Sequence, residues 1–331
     1  MKTRPDIFDM THCVLCPREC GADRLHNEAG ACGTDAKIHA ALAYLHRWEE
    51  PCLTGKNGSG TVFFTGCSLG CIFCQNHEIA HRQEQTLSGA ARDVALTPQA
   101  LSDAFLSLQE KGAANINLVT AAHQLPAVLP ALTLARKKGL TIPYVYNSSG
   151  YEKAPALRAL EKIVDIYLPD MKFFSPELSR KYANAPDYFS VASTAIDEMV
   201  RQQPKTVFAE DEANAEGTAP AMLRGVIVRL LVLPGFADDA KRILSYLYSR
   251  YGNDICYSIL NQYTPMPATA SDPFLSRALT EAEYDEVTDY AVSLGIENGF
   301  VQEGETVSES FIPAFDGAGL TSPSAPCTPD I

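Results

Sequence analysis

The sequence predicts an α/β protein built on a parallel sheet. Three observations carry this. Six short apolar, β-rich runs alternate with segments of helical period, no internal sequence repeat accompanies them, and the composition is that of an ordinary globular chain. Of 331 residues, 46% are hydrophobic and 20% charged, which excludes wholesale disorder. A chain this long buries roughly three quarters of its unfolded surface, enough for one large domain with a small appendage. An open doubly wound sheet and a partial barrel both fit the strand count. In either, a ligand belongs at the carboxyl ends of the strands.

Residues 1–55 stand apart. They hold little periodicity and much Cys, His and Gly, and read as a metal-dependent extension, because so short a segment has little core of its own. Residues 61–65 (TVFFT) are the first strand of the main domain. Thr97 and Pro98 suit an N-cap and first helical residue ahead of Leu101, Ala104, Phe105 and Leu108, and Gly112 ends that helix. Strands follow at 115–120 (NINLVT), 142–146 (IPYVY) and 165–168, with helices at 125–138 and 154–162 between them. Ser175-Pro176 opens another helix, and 194–203 reads as a further one. The acidic run 210–219 reads as a solvated loop. Residues 226–233 (VIVRLLVL) form a fifth strand ended by Pro234-Gly235, followed by helix 238–251, strand 257–261 and helix 280–294. The Pro/Gly/Ser-rich tail, 313–331, reads as loosely ordered, which leaves 56–312 as the main domain.

Charge and hydropathy exclude several classes. With 27 Lys+Arg against 40 Asp+Glu the formal net charge is −13, so no broad basic surface exists for nucleic acid. The most apolar stretches, near 125–135 and 226–233, are short and interrupted by Pro126, Pro130 or Arg229, so neither spans a bilayer. The first ten residues are polar, without the apolar core of a secretory signal. A cytoplasmic, reducing location is expected, where clustered cysteines hold metal or do redox chemistry. Eight of the ten cysteines lie between Cys13 and Cys74, and all seven histidines at or before His123.

The first strand delivers Cys67, Cys71 and Cys74 in Cys-x3-Cys-x2-Cys spacing. Thiolates ligate iron–sulfur clusters, and three closely spaced on one loop can wrap a four-iron cubane while leaving one iron open. Gly66 and Gly70 let the backbone approach it. The alternatives are zinc completed by His77, or packing thiols. At the end of a strand in an alternating chain, the spacing favours the cluster.

This loop, within VFFTGCSLGCIFCQNHEIA, resembles the signature of radical S-adenosylmethionine (AdoMet) enzymes, and in particular the pyruvate formate-lyase activating enzymes and an uncharacterised branch of their relatives. CxLCPRxCG at Cys13–Gly21, LPDMKFF, VLPGF, LNQYTP and FVQEG are similar to that branch, so the resemblance covers nearly the whole chain. It implies a partial (β/α)6 TIM-like barrel with a 4Fe-4S cluster on Cys67, Cys71 and Cys74. AdoMet would bind the open iron, and one-electron reduction would yield a 5′-deoxyadenosyl radical that abstracts hydrogen. The resemblance also implies an electron donor such as flavodoxin or ferredoxin, and a glycyl radical enzyme as partner. It places Phe73 near adenine, Asn76 against AdoMet, and Asp170 and Lys172 at the ribose and the AdoMet carboxylate. For those last two a surface ion pair is the alternative.

One element of the relatives is missing. No Gly-Gly-Glu ends the second strand, so Asn117, Thr120 or His123 would have to accept the AdoMet amine, although His123 reads more readily as a cap or packing residue. Asn147, Arg229 and Asn261 fall near strand ends and read as loop hydrogen-bonding residues. Near the N-terminus, Cys13, Cys16, Cys20 and Cys32 supply four thiols, the shell of structural zinc and equally of a second cluster; their locality favours zinc. Cys52, Cys256 and Cys327 read as isolated packing or surface thiols, and the glycine run 55–60 precedes a strand, which argues against a phosphate loop. Three functions remain open: activation of a partner's glycine, radical chemistry on a small molecule or another macromolecule, and a non-catalytic iron–sulfur electron carrier.

Overall fold

Strand-forming runs and capped helices alternate from the extension onward in the computed structural model, which describes residues 6–80, 92–210, 219–302 and 312–320. The elements are β1 (Ile38–His46), α1 (Pro51–Thr54), β2 (Ser59–Phe64), α2 (His77–Ala80), β3 (Val94–Leu96), α3 (Pro98–Glu110) and β4 (Ile116–Val119). They continue as α4 (Leu125–Lys137), β5 (Tyr144–Ser148), α5 (Ala154–Leu157), β6 (Ile166–Pro169), α6 (Pro176–Ala183) and α7 (Tyr188–Gln202). The last are β7 (Val207–Phe208), β8 (Met222–Leu231), α8 (Ala237–Tyr251), β9 (Cys256–Leu260), α9 (Glu281–Leu294) and β10 (Gly299–Val301).

The caps explain why the helices start where they do. Thr97 accepts from Ala100 N ahead of α3, Ser175 from Glu177 N and Leu178 N ahead of α6, and Thr280 and Glu283 close a reciprocal capping box on α9. Each such cap stabilises its helix by about 1 kcal/mol. The expected helix 154–162 stops earlier: after one turn of α5 the chain tightens into a 3-10 turn, and Lys162 adopts a positive φ of 66°. Helix α7 begins at Tyr188, ahead of the expected 194, because Tyr188 is already buried in the core.

Strand order is β10-β9-β8-β6-β5-β4-β2-β1-β3. The six expected strands, β2, β4, β5, β6, β8 and β9, pair in parallel in that sequence, each crossing over through helix, which is the α/β partial barrel the sequence predicts. Alternation along the strands sorts the two faces. Tyr144, Tyr146, Tyr167 and Tyr257 pack in the main core with the helices, whereas Val145, Ile166, Ile227 and Cys256 belong to a second apolar group. That group is closed by Cys52 and Leu53 of α1, so the extension plugs the barrel at the amino ends of its strands.

Two expectations change here. Residues 1–55 contribute β1, which pairs antiparallel with β2 and β3, so the sheet runs through the boundary at residue 55 without a break. The tail is not loose over 313–320. Phe315 and Leu320 are buried, Gly317 N donates to Ala41 O and Ala318 O accepts from Ala43 N, so the segment lies along β1. The anchor is Phe315, whose ring packs edge-on against Phe63 in an apolar group with Leu42 and Val119. Residues 321–331, with Cys327, and 211–218 of the acidic loop lie outside the described residues.

Candidate active site

The loop after β2 brings its three cysteines to one cavity of about 220 Å³ at the carboxyl ends of the parallel strands. Gly66 makes the turn possible: its φ is +83°, and a Cβ there would stand 2.5 Å from Cys32 O. The extension grips this loop from outside. Cys67 N donates to Cys32 O, and Arg18 donates to Ser68 O and Leu69 O, each at 2.9 Å. Within the loop Phe73 is buried against Phe173, Tyr182 and Tyr263 while still lining the cavity. Asn76, also on the lining, opens α2 by accepting from Ile79 N and Ala80 N with its carbonyl.

Beneath the loop lies an ion set. Lys172 Nζ stands 2.6 Å from Asp170 Oδ2, and Arg229 Nε 2.8 Å from Asp170 Oδ1. Arg229 gives a further nitrogen to Asn147 Oδ1 at 2.5 Å. Burial works against ionising Asp170, but Arg229 and Lys172 outweigh it and hold the carboxyl below its usual range. Lys172 and Arg229 are likewise opposed by burial and pushed up by Asp170 in particular. The three charges lock one another into fixed orientations at the strand ends.

The rest of the lining comes from the extension. His46 ends β1, Trp48 and Glu49 follow it, and all three face the same space. Tyr44 hydrogen-bonds His46 Nδ1, and burial together with Arg229 pushes the imidazole down to about 4, so it is neutral near pH 7. Glu49 accepts from Asn117 Nδ2 at 2.9 Å and lies 3.7 Å from Arg229. Burial pushes both Glu49 and its neighbour Glu50 up, against the pull of Arg229.

The donor sets set limits on a metal. Among the described residues no three His, Cys, Asp or Glu side chains are gathered as the ligands of one ion. A single zinc on the loop is therefore not supported, and His77 is not among the lining residues. A four-iron cubane is wider than one ion and takes thiolates at its separate corners, which suits three cysteines spread along one cavity wall. Burial pushes Cys71 up, and Cys74 up to about 12, although Lys172 pulls both down, so bound iron would have to draw off the protons. The four N-terminal thiols share one neighbourhood. Burial pushes Cys16 up to about 11 with Cys32, Cys13 and Cys20 beside it, and the sulfurs of Cys20 and Cys32 flank Gly30. They too do not form the closed shell of one zinc ion.

The sequence-derived residues divide cleanly. Cys67, Cys71, Cys74, Phe73, Asn76, Thr120, Asp170 and Lys172 converge on the cavity, and the last two are a buried pair, not a surface one. Asn117 does not line it. The side chain is fully buried and its amide is engaged with Glu49, so it is not placed to hold a cofactor. His123 is also buried, its Nε2 2.8 Å from Thr65 O, as a packing residue. Asn261 lies against Gln302, off the lining. Sequence reasoning passed over Arg229 and Asn147 as loop residues and missed His46, Trp48 and Glu49. The one available signal was Arg229, the single cation in the apolar run 226–233.

No family model matches the chain. It is 24% identical over 298 residues to an uncharacterised protein of Methanocaldococcus jannaschii, covering 87% of this chain and 79% of that one. Among solved structures it is similar to methylornithine synthase, at 13% identity and a TM-score of 0.46, covering 71% of this chain and 60% of that one. It is also similar to a domain of pyruvate-formate lyase-activating enzyme from Bacteroides vulgatus, at 10% identity and a TM-score of 0.36, covering 53% of this chain and 89% of that one.

Proposed function

We propose that this chain is a radical AdoMet enzyme. The observation that carries the reading is the meeting of Cys67, Cys71 and Cys74 with Asp170, Lys172 and Phe73 on one cavity at the carboxyl ends of a parallel partial barrel. Cys67, Cys71 and Cys74 would hold a 4Fe-4S cluster, which, reduced by a donor of the flavodoxin or ferredoxin class, would supply one electron to the AdoMet sulfonium to give methionine and a 5′-deoxyadenosyl radical. The chain's own residues orient the partners. Lys172 offers an ammonium to the AdoMet carboxylate, Asp170 an acceptor to the ribose hydroxyls, Phe73 an aromatic edge to adenine, and Asn76 a polar contact. Arg229 fixes Asp170 while this happens. The apolar part of the lining, Phe63, Val119, Leu231 and Leu260, keeps water from a reactive radical.

Hydrogen abstraction from a backbone glycine of a partner enzyme is one substrate reading, by resemblance. A small-molecule substrate is favoured by one observation: the lining continues into buried polar groups, Glu49 and His46, the latter held by Tyr44 behind it, which a backbone glycine does not need. A second metal at Cys13, Cys16, Cys20 and Cys32 completes the proposal; a further cluster suits thiols that are not gathered around one point better than the zinc their locality favours.

Anaerobic reconstitution with iron, followed by reduction and assay of 5′-deoxyadenosine, tests it. About four irons on the loop and AdoMet-dependent release of 5′-deoxyadenosine are expected. A cluster that ignores AdoMet would make the chain an electron carrier instead. A glycyl-radical EPR doublet on a partner protein would decide for the partner-glycine substrate.

A further inference from the structure

Glu49 and Glu50 stand on the link between β1 and α1, where the ion set does not satisfy both. The cations facing this layer are Arg229 and Lys172, and the carboxyls are Asp170, Glu49 and Glu50. Lys172 is committed to Asp170. Arg229 is committed to Asp170 and Asn147, and stands 3.7 Å from Glu49, beyond hydrogen-bond reach. Two cations meet three acids, and burial pushes both glutamates, which lie against each other, up, Glu50 to about 7, which favours a proton shared by the pair near neutral pH.

The polar atoms tell the same story. Glu50 is 93% buried by its 7% exposure, and its Oε2 has no donor. Asn117 gives its Nδ2 to Glu49, and its Oδ1, fully buried, has no donor either. Acceptors are in surplus here and donors are short, at a cost for each buried atom. One residue before Glu49, Trp48 is 61% exposed although it lines the cavity. Beside it His46 is neutral, so no cation competes from that wall.

We propose that this floor is the substrate subsite and that it takes an organic monocation, a primary ammonium group seated against Glu49, with Glu50 buried behind it and the indole of Trp48 at the rim. The inference deepens the small-molecule reading above, on which its description as a substrate site rests. An ammonium brings three N–H donors and one positive charge, which are the two things this layer lacks. The indole face adds a cation–π contact. Binding is proton-balanced: the shared proton leaves for solvent as the ammonium arrives, so three cations then face three carboxylates. Affinity therefore rises with pH through the range where Glu50 titrates, which burial pushes up to about 7. Glu49 faces Arg229, Asp170, Asn117, Glu50 and Tyr44, and Glu50 faces Arg229, Ser258, His46 and Cys52.

Calorimetric titration of the full, iron-loaded chain with butylamine in two buffers of different ionisation enthalpy tests this. At about pH 6.5 saturable heat is expected, with about one proton released per amine. Butanol, butyrate and sodium chloride should give none. Glu49→Gln, checked for folding by circular dichroism, should weaken binding at least about ten-fold, and Glu50→Gln should abolish proton release. Trp48→Ala, on the surface and no threat to folding, should weaken it about two- to five-fold. Absent saturation, equal binding of the uncharged or anionic analogues or of sodium, or unchanged affinity in Glu49→Gln overturns the proposal. Amine binding without AdoMet cleavage would leave the subsite and remove the enzyme reading; cleavage without amine binding does the reverse.

Discussion

Two groups of cysteines face each other across Gly66, and their surroundings give them different work. The loop thiols open into a cavity with a lysine and an aspartate beneath them. In the extension, Cys13 and Cys32 sit in packing, with Arg24 donating toward the sulfur of Cys13 and Thr34 contacting that of Cys32, while Cys16 is half-buried and Cys20 exposed. A thiol beside a cavity and a cation can hold a reactive cofactor, whereas thiols enclosed by backbone and hydroxyls can only staple. The difference lies in what surrounds the sulfur, since residue type and close spacing are common to both.

Replacing one cysteine from each set breaks the comparison most directly. Cys71→Ala should remove the loop iron and bring 5′-deoxyadenosine below detection. Cys16→Ala should lower the melting temperature and leave loop iron and AdoMet cleavage in place. Undiminished cleavage in Cys71→Ala sinks the reading of the loop. Iron and zinc counts on Cys16→Ala against the parent identify the metal of the extension, as one zinc or about four irons lost.

Asp170→Asn comes next in size. It leaves Arg229 and Lys172 buried beside a neutral amide, at a cost of about 3–5 kcal/mol in urea unfolding. The native carboxyl is held below its ordinary range, so its contribution persists above that range and is lost as pH falls through the lowered value. Asp170→Asn should therefore lose the acid part of the parent's stability curve. An unchanged curve would show the ion set to be incidental.

These contrasts also explain what the sequence made legible. The cysteine loop was readable because its spacing is local, and the parallel strands because short apolar runs alternate with capped helices. Strand β1 was not: IHAALAYLH shows no two-residue alternation, since both of its faces are covered. Arg229 looked like a loop residue, because its meaning depends on Asp170, Asn147 and Glu49 arriving from two other strands and the extension. The adjacent glutamates after Trp48 carry no local signal of burial, and only the plug formed by α1 puts them inside. The tail looked loose because its anchors, Phe315 and Leu320, are diluted by Gly, Ser and Pro.

A smaller effect, of opposite sign to Asp170, lies where the barrel meets the extension. Glu152 is buried, accepts from Tyr146 at 2.7 Å, and leaves Oε1 without a donor, while Lys153 beside it holds Val14 O and Glu19. Burial pushes its carboxyl from 4.5 up to about 7. The folded state thus binds the proton more tightly, and stability falls as pH rises between those values. Glu152→Gln should raise stability by about 3 kcal/mol at pH 8 and change little below pH 4.5. A variant that is less stable at pH 8 would show the charged form to be required.

The smallest effect tests whether the two cysteine regions act as one. Arg18 leaves the extension and donates to Ser68 O and Leu69 O on the loop, and to Ala183 O and Asn184 O at the end of α6, with its guanidinium 5.2 Å from the centre of the Tyr151 ring. Its charge also suits the carboxyl end of that helix. Arg18→Ala removes the clamp without touching a cysteine, and should cost about 2 kcal/mol in urea unfolding. The sharper readout is chelation of loop iron, which should be faster in Arg18→Ala and only partly restored in Arg18→Lys, because an ammonium cannot reach four carbonyls in the plane of the guanidinium fork. Equal chelation rates in all three proteins would make the extension a passive neighbour. Faster loss would show that the enclosed thiols serve the open ones by holding still the backbone on which the open ones stand.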